Sequence, residues 1–135
     1  YSPSYYYLAA AYERQVNLSE AIARMEALRD VEMGDVGVSF QLSMLYLRQG
    51  KTIQAKAELE RALTIAPNYS NALWFLSAIY EQDGDFIKAI ELIKEVQRYN
   101  ADTEAVKQRL ERLEAGKIAS ELPPPLEDSV TEATE

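Results

Sequence analysis

Three carboxylates at alternating positions, Glu81, Asp83 and Asp85, form the densest acidic cluster in the chain, and such a cluster is where metal binding or general acid–base work would sit. A calcium loop needs a longer run of oxygen ligands than this, and each of the three has a plainer role at a helix end or turn, with Asp85 after Gly84 placed as a helix N-cap. Glu58 and Glu60 make a second acidic pair, expected on solvated helix faces. Cysteine and histidine are both absent. Their absence removes disulfides, thiolate nucleophiles, imidazole bases and the usual zinc ligands together. No nucleophile–base pair or phosphate loop stands in the sequence, so the expectation is a noncatalytic chain with no metal and no cofactor.

The charge balance narrows the partners. The 135 residues carry a net charge of −8, of which −4 falls in 1–114 and −4 in 115–135. Neither part supplies the basic face that nucleic acid requires, which excludes nucleic-acid binding as a working reading. With 47% hydrophobic residues and charges mixed through most of its length, the chain reads as a soluble globular body. No apolar run approaches the roughly 18 residues of a membrane span, and no signal-peptide pattern is present. Direct membrane insertion of this segment is not expected.

The elements that would position any site are set by a repeat. Leu76, Tyr80, Gly84 and Ala89 are preceded at 34 residues by Leu42, Tyr46, Gly50 and Ala55, and at twice that distance by Leu8, Tyr12, Val16 and Ala21. Three units of one length, with residue sizes in the same order, predict an all-α solenoid of helical hairpins. The units run about 2–35, 36–69 and 70–103. Within a unit, Gly50 or Gly84 takes the left-handed conformation that ends the first helix. Val16 cannot do so cheaply, so Asn17 is expected to take the positive φ there, or the turn to be distorted. Pro67 stops the second helix of its unit. Residues 104–115 begin in phase but are far more charged, as suits a capping helix that closes the open end of a solenoid. From 116 the pattern dissolves into an acidic, proline-containing segment expected to be disordered to 135. The aromatic crowding of Tyr1, Tyr5, Tyr6 and Tyr7 where a polar cap belongs predicts that the sequence is a piece of a longer protein.

Counted from Ser2, Val36 and Ser70, Leu at position seven, a small residue at eight, Tyr at eleven, Gly at fifteen in two units and Ala at twenty, with a large residue at four in the first and third units and Ser39 in the second, resemble the tetratricopeptide repeat (TPR) pattern over residues 2–115. The first unit departs most, with Val16 for Gly and Met33 for Pro. The resemblance implies a right-handed superhelical solenoid of three hairpins plus a C-terminal capping helix. Narrower phrases, PSYYYLA and PNYSNALWFL with the proline-containing tail, are similar to TPR segments appended to bacterial O-antigen ligase-like membrane proteins. That likeness implies a soluble domain attached to a membrane protein through a part before Tyr1, in a compartment the sequence does not fix.

The resemblance also implies a concave groove lined by the first helix of each unit. Its lining would be Tyr6, Phe40 and Trp74 as an aromatic ladder, Ala10, Met44 and Ala78 beside it, Leu47, and Arg48 and Gln82 on the rim. Such a groove would hold an extended or helical peptide with apolar or proline side chains. The other reading of the ladder is packing against neighbouring helices. The Lys, Arg and Asn set of family members that grip a C-terminal carboxylate is nearly missing. The implied function is a noncatalytic protein–protein interaction scaffold; the alternative is a self-assembly module joining copies through solenoid ends or exchanged C-terminal tails. A protein or peptide partner is expected, with the Leu122–Leu126 polyproline stretch of its own tail as one ligand.

Overall fold

In a computed structural model the backbone is described over residues 3–100 and 103–121, and side chains from Asn17 onward. The helices are α1 (Pro3–Val31), α2 (Val36–Arg48), α3 (Thr52–Ile65), α4 (Ser70–Gln82), α5 (Phe86–Tyr99) and α6 (Glu104–Glu121), with no strand among the described residues. Each helix packs on the next, so the chain is an all-α solenoid. Its expected 116–135 tail lies beyond the described residues only from 122.

The two hairpins α2–α3 and α4–α5 are built by one device. Gly50 and Gly84 have φ of +78° and +80°, the left-handed values an L side chain resists. At the first break the Gly50 amide donates to the Leu47 carbonyl at 3.1 Å and the Lys51 amide to the Tyr46 carbonyl at 2.9 Å. At the second, Gly84 donates to Glu81 at 3.0 Å and Asp85 to Tyr80 at 2.9 Å. This paired pattern is a Schellman closure, and it satisfies the carbonyls a helix end leaves open. Asp85 then opens α5, its carboxylate accepting from the Lys88 amide at 3.2 Å, as the sequence predicts for this N-cap. Asp35 does the same for α2, accepting from the Gly37 amide at 2.9 Å and the Val38 amide at 3.4 Å.

The first unit differs. α1 is a single 29-residue helix that passes through Val16 and Asn17 without a break, and no non-glycine residue has positive φ among the described ones. The expected turn with Asn17 in the left-handed region is therefore corrected. A β-branched residue at the closing position cannot end the helix as glycine does, and the surrounding Arg14, Gln15, Leu18 and Glu20 favour its continuation. Two hairpins, a leading helix and a final helix result. At the other end, α6 runs past 115 through Gly116 to Glu121, with Lys117 and Glu121 paired at 3.4 Å one turn apart.

The core comes in successive portions along the solenoid. Ile22, Leu42, Tyr46 and Ala55 join α1 to the first hairpin; Leu59, Ala62, Ala72, Leu76 and Ile79 join the hairpins; Ala89, Ile93, Val106 and Leu113 seat α6. The small residues at the tight crossings, Ala55 and Ala89, are fully buried, as are Ser43 and Ser77. The buried Ser77 hydroxyl donates to the Ala89 carbonyl at 2.9 Å, linking α4 to α5, and the Ser43 hydroxyl donates within α2 to the Phe40 carbonyl at 2.6 Å. Small size permits the approach, and the hydroxyl satisfies its own polar group there. None of the helices among the described residues is long and apolar enough to cross a membrane.

Candidate functional site

The expected lining residues of α2 and α4 fall into two environments. On α2, Phe40, Met44 and Leu47 are partly buried and pack against the core portion made by Leu59 and Ala62 of α3 with Ala72, Leu76 and Ile79 of α4. The Phe40 ring meets Tyr69 edge-on with centroids 5.5 Å apart and Phe75 at 5.9 Å, so part of this rung serves packing between the hairpins. Ala78 is partly buried, and Arg48 and Gln82 are exposed. The side chains of Tyr6 and Ala10 lie outside the described residues.

Trp74 sits apart, covered from α6. The Arg109 guanidinium lies 3.9 Å above the indole, and its Nη1 donates to the Trp74 carbonyl at 3.4 Å. Beside the ring a cavity of about 400 Å³ is walled by Ser70, Asn71, Val96 and Val106. One turn along α6, Arg112 grips Glu81 of α4 through two hydrogen bonds of 2.8 and 3.0 Å. The Arg112 hydrogen bond holds the Glu81 carboxyl below the usual range against a smaller opposing effect of burial, while Glu81 raises Arg112 in turn. Burial and then the charge of Arg112 push Arg109 below the ordinary guanidinium value. Both arginines are thus committed within the fold, Glu81 is an ion-pair partner, and Asp85 is a cap.

Sequence reasoning missed two contacts that tie repeats together. Glu58 is 7% exposed rather than solvated, which corrects the expectation for it. Its Oε2 accepts from Arg29 Nη1 at 2.6 Å, which ties the end of α1 to α3. The other contact recurs. The Tyr46 hydroxyl donates to Glu26, and the Tyr80 hydroxyl reaches Glu60 at 3.5 Å. Glu26 and Glu60 are themselves 34 residues apart, so the repeat phase of the carboxylates was the signal that could have revealed the link.

With this geometry in view, the likeness to known proteins is specific. A family profile described as tetratricopeptide repeat matches residues 46–113. The chain belongs to the tetratricopeptide repeat family. Over 103 residues it is 30% identical to the TPR repeat-containing protein YpiA of Bacillus subtilis, a match taking in 76% of this chain and 24% of YpiA, so the chain spans about a quarter of that relative. A TPR protein of Parabacteroides merdae superposes with a TM-score of 0.71 at 19% identity, covering 78% of this chain and 41% of that one. The Yersinia enterocolitica type III secretion chaperone SycD, solved with a peptide of the translocator YopD, superposes with a TM-score of 0.62 at 16% identity over 84% of this chain and 87% of its own. The tyrosine–carboxylate link joins one repeat to the first helix of the next, once from α1 to α2 and once from α3 to α4.

Proposed function

We propose that this TPR chain is a noncatalytic scaffold that binds an apolar stretch of an extended or helical peptide on the face of α2 and α4. The observation that carries this reading is that Phe40, Met44 and Leu47, one apolar stripe of α2, are only partly covered by the core of α3 and α4, while Arg48 and Gln82 at the ends of α2 and α4 are exposed. Apolar side chains half-covered by their own fold and rimmed by polar ones suit a partner's apolar anchors. A fold neighbour solved with a translocator peptide supports the class of ligand. Acid-terminated peptides fit less well, because Arg109 and Arg112 are already engaged by Trp74 and Glu81.

Peptides selected from a displayed random library on the full chain test the reading. Binding should weaken tenfold or more, about 1.4 kcal/mol, in Met44→Glu and Ala78→Glu variants that keep the parent's far-UV circular dichroism. Unchanged affinity in folded variants would place the ligand elsewhere. The second reading is a self-assembly module joining copies through solenoid ends or exchanged C-terminal tails. Its readout is a mass that rises with concentration in light scattering.

A further inference from the structure

The second helix of each repeat carries an apolar stripe at the twentieth, twenty-fourth and twenty-seventh positions. In α3 the stripe is Ala55, Leu59 and Ala62, in α5 it is Ala89, Ile93 and Val96, and none of the six is more than 6% exposed. Both helices are closed in from two sides, by the first helix of their own hairpin and by the first helix of the repeat that follows. The matching stripe of α1 is Ala21, Met25 and Leu28. Here Ala21 and Met25 are only partly buried and Leu28 is 43% exposed. Ala21 borders a cavity of about 310 Å³ that it shares with Leu18 and with Leu45 of α2. The next repeat's first helix, α2, is in place against α1. No first helix of the same repeat folds back on it, because residues 3–16 run straight on into 17–31 as one helix. The stripe therefore lacks one antiparallel helix of the length of α2 or α4, which have 13 residues each.

Residues 3–16 are such a helix in length and in register. Leu8, Ala9 and Tyr12 stand at the positions that Leu42, Ser43 and Tyr46 hold in α2 and Leu76, Ser77 and Tyr80 hold in α4. The eighth and twentieth positions are small because the two helices of a hairpin meet there, as the Ser77 hydroxyl shows by reaching the Ala89 carbonyl at 2.9 Å. In the first repeat that pair is Ala9 and Ala21. Twelve residues of unbroken helix hold them about 18 Å apart along one chain, so while α1 stays straight they meet only between two chains. Two α1 helices laid antiparallel about a twofold axis near Gln15 set Ala9 of each copy against Ala21 of the other. Each copy's residues 3–16 then run along the other's uncovered stripe. The exchange is reciprocal, so it closes at two copies and does not propagate.

We infer that the chain forms a dimer in which residues 3–16 of each copy serve as the first helix of the other copy's first repeat. This names the surface for the self-assembly reading, on which it rests, and does not depend on the peptide site. Val16 is its determinant, since the residue that takes the place of Gly50 and Gly84 keeps α1 from closing on itself.

Light scattering on the full chain should give twice the single-chain mass of 15.3 kDa, and Val16→Gly, which lets the hairpin close within one chain, should give the single mass with its helical circular dichroism kept. The absence of cysteine permits a check on the pair itself. Ala9→Cys and Ala21→Cys chains, refolded together and oxidised, should yield a disulfide-linked dimer, because helices in contact at small residues bring Cα atoms within disulfide range. Neither variant alone should do so, since like positions lie about 18 Å apart along the paired helices. A monomer at every concentration would overturn this inference and self-assembly together. A dimer that fails to cross-link in the mixture, or that Val16→Gly leaves intact, would keep self-assembly and overturn the exchange of α1. An Ala9→Cys/Ala21→Cys chain that closes its disulfide internally at the single-chain mass would also overturn it, by showing the hairpin closed within one copy.

Discussion

Tyr46 shows how a single side chain reports on the packing of one repeat against another. Burial first, and then the hydrogen bond and charge of Glu26, raise its phenol from 10.0 to about 12. The folded state therefore holds the proton longer than the unfolded chain does. Below pH 10 both states are protonated and the contribution is fully present; between about pH 10 and 12 the unfolded state ionises first and stability is lost. The loss is on the order of 2–3 kcal/mol. Tyr46→Phe should cost about 1 kcal/mol at neutral pH for the missing hydrogen bond and should flatten the alkaline limb of a urea-midpoint profile. An unchanged limb would mean the link to Glu26 does not survive in solution. The Glu81–Arg112 pair acts at the acid end. Its lowered carboxyl gives stability that is present above the unfolded carboxylate range and is lost as pH falls through the folded value, and partial exposure of both partners limits it to a fraction of a kcal/mol. Contacts of this kind were hard to read from sequence. Arg29 and Glu58 are 29 residues apart in no obvious pattern, whereas the tyrosine–glutamate link was hidden in the same 34-residue phase as the core.

At the scale of elements, chirality decides where helices end. Gly50 and Gly84 were legible as breaks because a left-handed residue is a local requirement that one residue type meets cheaply. The unbroken α1 was not anticipated, because the family pattern was extended over a unit that lacks the glycine on which the pattern depends. Nothing stands within 4 Å of a Cβ on Gly84, so Gly84→Ala should lose only the backbone term, about 1–2 kcal/mol, in urea denaturation. Val16→Gly should do the converse. By supplying the missing stop it should reduce helical backbone carbon shifts at 16–18 while leaving those of α3 and α5 in place. Retention of full helical shifts would show that α1 is held straight by something other than the want of glycine. Gly116 is a different case. It sits inside α6 because the Phe86 ring presses on it, and this close approach could not be seen from Gly116 alone.

For the whole molecule, the 34-residue period predicted the solenoid because the core is assembled from successive local portions, each between neighbouring helices. The ligand face was less legible. The two described ladder residues lie in different surroundings, Phe40 packed on Tyr69 and Phe75 and Trp74 under a cation from α6. Sequence spacing gives which side of a helix a residue occupies, but not what the next helix lays over it. The most direct test is a chemical-shift map of the ¹⁵N-labelled full chain titrated with a peptide selected on it. The account predicts that the largest changes follow Phe40, Met44, Leu47 and Ala78, with α5 little affected. Changes confined to α5, α6 or the start of α1, with α2 and α4 silent, would contradict it.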